Sequence, residues 1–118
     1  IFYTEEVIRM KAESFPKKVK TIRSILGICA KAGRLSSGED TCIRDIQSGK
    51  AYAILLASDV SENTNKLFTN KCEFYEVPLI KVKENKQELG AIIGKSDRSV
   101  VSILDFGFAE AMINIQGE

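Results

Sequence analysis

Histidine is absent from the 118-residue sequence. That removes the commonest general base and the commonest metal ligand. A Ser-His-Asp or Cys-His catalytic site is therefore impossible, and a structural zinc site has little to draw on. Cysteine is scarce: Cys29, Cys42 and Cys72 are odd in number and lack Cys-x-x-Cys spacing. Each falls at a semi-apolar position of a predicted helix, which reads as a buried free thiol rather than part of a disulfide framework. No apolar run approaches the roughly 20 residues of a membrane span. The N-terminal residues are too charged for a signal peptide, so a cytoplasmic protein without a membrane partner is expected. A Gly-rich phosphate loop of the P-loop or Rossmann type is missing, as are internal repeats and low-complexity tracts.

The residues present describe one globular domain. Hydrophobic residues make up 44% and charged residues 28%, enough apolar content for a modest core. The net charge of +1 hides an asymmetry. Residues 10–50 carry nine Lys/Arg (Lys11, Lys17, Lys18, Lys20, Arg23, Lys31, Arg34, Arg44, Lys50) against four Asp/Glu (Glu13, Glu39, Asp40, Asp45). Residues 51–118 carry seven against ten. A basic first third attracts polyanions even on a near-neutral chain.

The most informative stretch runs from Ser36 to Lys50. It predicts a short helix over about 38–48, with Ser37 as N-cap and Asp40 reaching back as in a capping box. Glu39 and Asp40 suit the positive end of the helix dipole, and Gly49 supplies the left-handed stop. Ile43 and Ile46 give a narrow apolar face. Arg44 lies one turn after Asp40 and Thr41 on the polar side. Amide hydrogens, short polar side chains and an arginine at one helix entrance suit phosphates or exposed base edges.

Residues 1–16 read as an N-terminal extension or a remnant foreign to the domain, which occupies 17–118. Helix 1 is predicted from about Lys17 to Ala32, closed by Gly33, with Arg34 to Ser36 a short edge strand. Ala51 to Ala57 reads as a strand buried on both faces. Ser61 caps a helix over Glu62 to Tyr75, with Leu67, Phe68, Cys72 and Phe74 as core residues. A strand at Leu79 to Val82, a helix from Lys86 to Ile93, a strand at Val100 to Leu104 and a helix from Phe106 to Asn114 follow, the last capped by Asp105. This alternation predicts an α/β fold, a three-layer αβα sandwich around a small mixed or mostly parallel four-stranded sheet. Three polar loops then converge at one sheet edge: Ser36 to Thr41, Ser58 to Asn63, and Gly94 to Ser99.

Several phrases carry a family resemblance. They are Leu26-Gly27-Ile28-Cys29-Ala30-Lys31-Ala32-Gly33-Arg34-Leu35, Ser37-Gly38-Glu39 through Arg44 to Ala51, and Leu55 to Thr64. Shorter ones are Val77-Pro78, Glu88-Leu89-Gly90, Ile93-Gly94-Lys95, and Asp105 with Gly107-Phe108-Ala109. The chain resembles the L7Ae ribosomal protein family, with its L30e, S12e and Gadd-type members, and looks most like the bacterial YlxQ-like branch. The resemblance implies a non-enzymatic RNA-binding protein, ribosomal or ribosome-associated, that needs no cofactor and recognises structured, kink-turn-like RNA. In that family a Gly-x-Asn-Glu-x-x-Lys phrase opens helix 2 and reads sheared G·A pairs. Gly38 matches its Gly and Arg44 its Lys, whereas Asp40 and Thr41 stand at its Asn and Glu positions. A carboxylate only accepts hydrogen bonds where an amide also donates, and Asp40 repels phosphate. The loop after helix 4, apolar in archaeal kink-turn binders, is the polar Lys95-Ser96-Asp97-Arg98-Ser99 here.

The implied RNA-contacting set is Lys31, Arg34, Ser37, Gly38, Glu39, Asp40, Thr41, Arg44, Asp59, Lys95, Ser96 and Arg98. Two other readings stay open. One is a protein-interaction adaptor on the same fold, with little RNA binding. The other is a small enzyme or nucleotide-binding domain using Asp59 and Asp105, which both follow predicted strands.

Overall fold

A computed structural model describes residues 21–116 of the chain. The elements are α1 (Ile22–Lys31), β1 (Leu35–Ser37), α2 (Glu39–Ser48), β2 (Ala53–Leu56), α3 (Glu62–Tyr75), β3 (Leu79–Lys81), α4 (Lys86–Ile92), β4 (Val100–Ile103) and α5 (Phe106–Gln116). The strands form one mixed sheet in the order β1-β4-β2-β3. β2 and β3 pair in parallel, while β4 runs antiparallel to both β1 and β2. The expected sandwich is present, and the mixed alternative is the correct one.

Alternation along the strands builds the layers. Ala53 and Leu55 of β2, with Val101 and Ile103 of β4, pack against Ile25, Leu26 and Cys29 of α1, Leu89 of α4, and Phe108, Ala109 and Met112 of α5. Ile54 and Leu56, with Val100, face Cys42 and Ile46 of α2 and Phe68 and Cys72 of α3. Both central strands are buried along their whole length, as a run without polar alternation requires. All three cysteines are buried as thiols. Burial pushes the Cys42 thiol up to about 12, against an opposing pull from Ser102, and the Cys72 thiol up to about 11.

Some expectations fall outside the described residues, and others fail. The residues 17–20 expected to open helix 1 lie outside the described residues, as does the 1–16 extension. Within the described part, α1 begins at Ile22, because Thr21 adopts an extended conformation and its side chain accepts from the Ser24 amide. Leu67 and Phe74 were expected in the core, but they are exposed, Phe74 at 77%. In α3 the inward stripe is set by Phe68 and Cys72, four residues apart, which turns Leu67 and Phe74 outward.

Candidate nucleic-acid interface

The entrance of α2 differs from the sequence expectation. Ser37 is the last residue of β1, paired with Val101, and is not a cap. Gly38 takes the N-cap place at φ 100, with no side-chain cap hydrogen bond, and the capping box with Asp40 does not form. A φ of that sign is costly for a residue with a Cβ, which explains the glycine. The reason is β1: its pairing continues through Ser37, and the Gly38 amide then donates to the Val100 carbonyl at 3.2 Å. The chain must turn sharply into α2 at Gly38. The Ser37 hydroxyl is left to accept from Arg98 Nε at 2.9 Å.

Helix α2 is thus opened by backbone alone. The first helical hydrogen bond outside its own span runs from the Cys42 amide to the Gly38 carbonyl at 2.9 Å. Among the described residues, no protein group takes the amide hydrogens of Glu39, Asp40 and Thr41. By contrast, Thr21, Ser61 and Asn85 cap α1, α3 and α4 through their side chains, and Asp105 Oδ1 accepts from the Phe108 amide at the start of α5. Uncapped first-turn amides at the positive end of a helix dipole are ready donors to an external acceptor.

The side chains around this entrance are held in place. Arg44 Nη2 donates to Thr41 Oγ1 at 3.3 Å, which draws the exposed guanidinium back toward the first turn. Glu39 Oε1 accepts from Thr64 Oγ1 at 3.2 Å, so this carboxylate is turned toward the first turn of α3. Asp40 is exposed. Beneath the helix, the Ser36 hydroxyl donates to the buried Asp45 carboxylate and pins β1 to α2.

Two further loops reach the same end of the sheet. Arg98 joins one of them to β1: beyond its bond to Ser37, its Nη1 donates to Ser96 Oγ at 2.9 Å and to the Asp97 carbonyl at 3.0 Å. The Ala57 amide donates to the Ser99 carbonyl at 2.9 Å, tying the segment after β2 to that loop. Asp59 Oδ1 accepts from the Lys86 amide at 2.8 Å and fastens the β2–α3 loop to the start of α4. A cleft of about 540 Å³, lined in part by Ser58, Val60, Asn65 and Lys81, opens beside these loops. The three loops therefore converge as expected. Lys95 and Ser96 are exposed on the rim.

Gly90 is a site residue that the sequence reading missed. A Cβ built there would lie 1.9 Å from the Ser96 carbonyl oxygen and 2.6 Å from its carbon. The Gly90 carbonyl accepts from the Lys95 amide at 2.8 Å. The 94–99 loop thus rests directly on the backbone of α4. A glycine inside a helical pattern, where alanine is better by about 1 kcal/mol, was the available signal.

Lys31 and Arg34 are not part of this cluster. They flank the turn between α1 and β1, at the start of the edge strand, whereas Ser37 ends it. Three residues of extended chain separate Arg34 from Ser37 by about 10 Å. The remaining residues, from Ser37 to Arg44 with Asp59, Lys95, Ser96 and Arg98, share one end of the sheet. Charges of both signs line it: Arg44, Lys95 and Arg98 together with Glu39, Asp40, Asp59 and Asp97. The arrangement offers fixed donors, an arginine and an acceptor carboxylate, a set suited to reading shape and base edges more than to gathering bulk negative charge. Asp59 and Asp105 both act as backbone acceptors at helix starts. Among the described residues, no three metal-ligating side chains gather at one place.

Comparison with known proteins agrees with the architecture. Residues 20–113 match the model of the "Ribosomal protein L7Ae/L30e/S12e/Gadd45 family". The chain is 43% identical over 91 residues to the RNA-binding protein YlxQ of Bacillus subtilis, covering 77% of this chain and 90% of that protein. It is 39% identical over 87 residues to the RNA-binding protein YlxQ of Enterococcus faecium, covering 74% and 82%. A solved structure of a Bacillus halodurans protein, described as of unknown function, superposes with a TM-score of 0.78 at 34% identity, covering 82% of this chain and 97% of that one. With the sheet order, the layers and the sequence in agreement, the chain belongs to the L7Ae/L30e/S12e/Gadd45 family of ribosomal-type proteins.

Proposed function

We propose that this chain is a non-enzymatic bacterial RNA-binding protein of the cytoplasm, associated with the ribosome, that recognises a kink-turn-like internal loop. The observation that carries the reading is the uncapped α2 entrance. Its first-turn amides have no protein acceptor among the described residues, and two loops are fastened around it. The names of the two relatives, both RNA-binding proteins, support the choice of ligand.

In this reading the amides of Glu39, Asp40 and Thr41 donate to phosphate or base acceptors, and Gly38 lets the RNA backbone come close. Arg44 neutralises a phosphate or forks onto a purine edge. Asp40 accepts from amino or imino groups of an unpaired base edge and opposes any phosphate placed against it. Arg98 keeps Ser37 and the 94–99 loop in position. Lys95 and Ser96 contact the RNA from the rim.

The test is titration of a kink-turn RNA and a control with its G·A pairs disrupted, at low and moderate salt, with wild-type protein and Arg44→Ala. Tight binding to the kink-turn, weakened roughly tenfold by Arg44→Ala, is expected. Equal weak binding of both RNAs would overturn kink-turn recognition, and no binding to either would favour the adaptor reading.

A further inference from the structure

A second group of exposed cations lies at the other end of the sheet. Lys31, Arg34 and Lys50 are all exposed there, and among the described residues none of them forms an ion pair. Arg34 and Lys50 are fixed by their backbones. The Arg34 amide donates to the Cys29 carbonyl at 3.1 Å and its carbonyl accepts from the Leu104 amide at 2.9 Å. The Lys50 amide donates to the Asp45 carbonyl at 3.0 Å. Asp45 is buried against Ser36 and Asp105 is buried as the cap of α5, so neither offsets these charges at the surface; Glu110, one turn after Phe106, is half-buried, and Glu76 is exposed at the end of α3.

Two exposed aromatic rings share this end. Tyr52 is 44% exposed and Phe106 39% exposed. Their centroids are 5.6 Å apart at 74°, an edge-to-face pair that covers one ring face and leaves others open. The strand register explains why they meet the cations. Leu35, Ile103 and Ala53 are aligned across β1, β4 and β2. One step further out, the Tyr52 amide donates to the Ile103 carbonyl at 2.9 Å, and Leu104 bonds to Arg34. Arg34 and Tyr52 therefore flank Leu104. Arg34, Leu104 and Tyr52 thus lie just beyond the ends of β1, β4 and β2, and Lys50 follows the Gly49 stop of α2 in the segment that leads into Tyr52.

We propose that Arg34, Lys50, Tyr52 and Phe106, flanked by Lys31, form a second RNA-contacting surface that takes a single-stranded segment. The cations hold its phosphates and the ring pair stacks on an unpaired base. The occupant is a nucleic acid strand because unpaired cations beside open ring faces complement a chain of phosphates and bases. The proposal rests on the RNA-binding reading above but uses none of the residues of the α2 entrance. Together the two ends make the domain a clamp, with one end for a folded internal loop and the other for its unpaired flank.

A single-stranded oligoadenylate of about eight nucleotides tests the surface on its own, followed by amide chemical shifts and by affinity. Shifts are expected at residues 31–34, 50–52 and 104–106. Arg34→Glu and Tyr52→Ala, both exposed positions, are each expected to weaken this binding roughly tenfold, and the affinity to fall with added salt. The same variants leave the affinity for a compact kink-turn RNA without flanks unchanged. Shifts confined to residues 37–44 and 94–98, or no shifts at all, would overturn the second surface. Failure of the compact kink-turn RNA to bind would instead overturn the reading of the α2 entrance.

Discussion

Arg44 and Asp40 carry opposite charges one helical turn apart on an exposed face, and they are expected to act in opposite directions on RNA. Arg44 is free of ion pairs among the described residues and makes one long side-chain bond, to Thr41. Arg44→Ala should therefore lower RNA affinity while shifting the melting temperature little. Asp40→Asn removes repulsion against phosphate and adds a donor. It should raise affinity several-fold, more at low salt than at high, as gel-shift titrations at two ionic strengths would show. The buried thiols give a different signature. Cys42 is raised to about 12 and Cys72 to about 11 by burial, from an ordinary value of 9.0. Below about pH 9 both states hold the proton, and the fold keeps its full stability. As pH rises toward 12 the unfolded thiols ionise first, so stability falls by up to about 1.4 kcal/mol per pH unit per thiol. Urea unfolding at pH 8 and pH 10 should show a smaller loss for Cys42→Val than for wild type, and an equal loss would contradict the assignment.

Among elements, the joint between α4 and the 94–99 loop is the most sensitive. Gly90→Ala places a methyl group against the Ser96 backbone, which has no flexible end to give way. The variant should lose about 1–3 kcal/mol of stability and should bind RNA more weakly, because the loop is pushed off its seat. Arg98→Lys should lose the bond to Ser37 and those to Ser96 and Asp97 together, since one ammonium does not reproduce the guanidinium fork. Loss of RNA affinity with a preserved melting temperature for Arg98→Lys would make Arg98 a direct contact instead of a loop fastener. These joints mark where the sequence stopped being legible. The order of helices and strands, the Gly49 stop, the Ser61 and Asp105 caps and the buried runs at β2 and β4 were all readable, because each rests on local pattern. Ser37 was misread because cap preference is local, whereas strand pairing with Val101 is not. Leu67 and Phe74 were misread because helical spacing alone permits more than one inward face. Gly90 was overlooked because its reason lies six residues away in Ser96.

For the molecule as a whole, the proposed reading divides the labour between the two ends of the sheet. The end with the α2 entrance mixes charges and holds its donors rigidly, while the other end collects cations and exposed rings. The sequence grouped Lys31 and Arg34 with the α2 entrance because they are close in the chain and basic. Only the direction of β1 separates them. A protein that reads RNA by shape at a mixed-charge rim should show a modest salt dependence with a compact RNA, and a steeper one when a single-stranded flank is added. Fluorescence titrations of the two RNAs over a salt series would check this, and identical slopes would argue against the division.

The most direct test of the central claim is backbone hydrogen exchange with and without a compact kink-turn RNA. The amides of Glu39, Asp40 and Thr41 have no protein acceptor among the described residues, so they should exchange fast in the free protein and slow markedly when RNA supplies the acceptor. Slowing should extend to the 94–99 loop. Unchanged exchange at residues 39–41, with the RNA demonstrably bound, would contradict the α2 entrance as the surface that reads RNA.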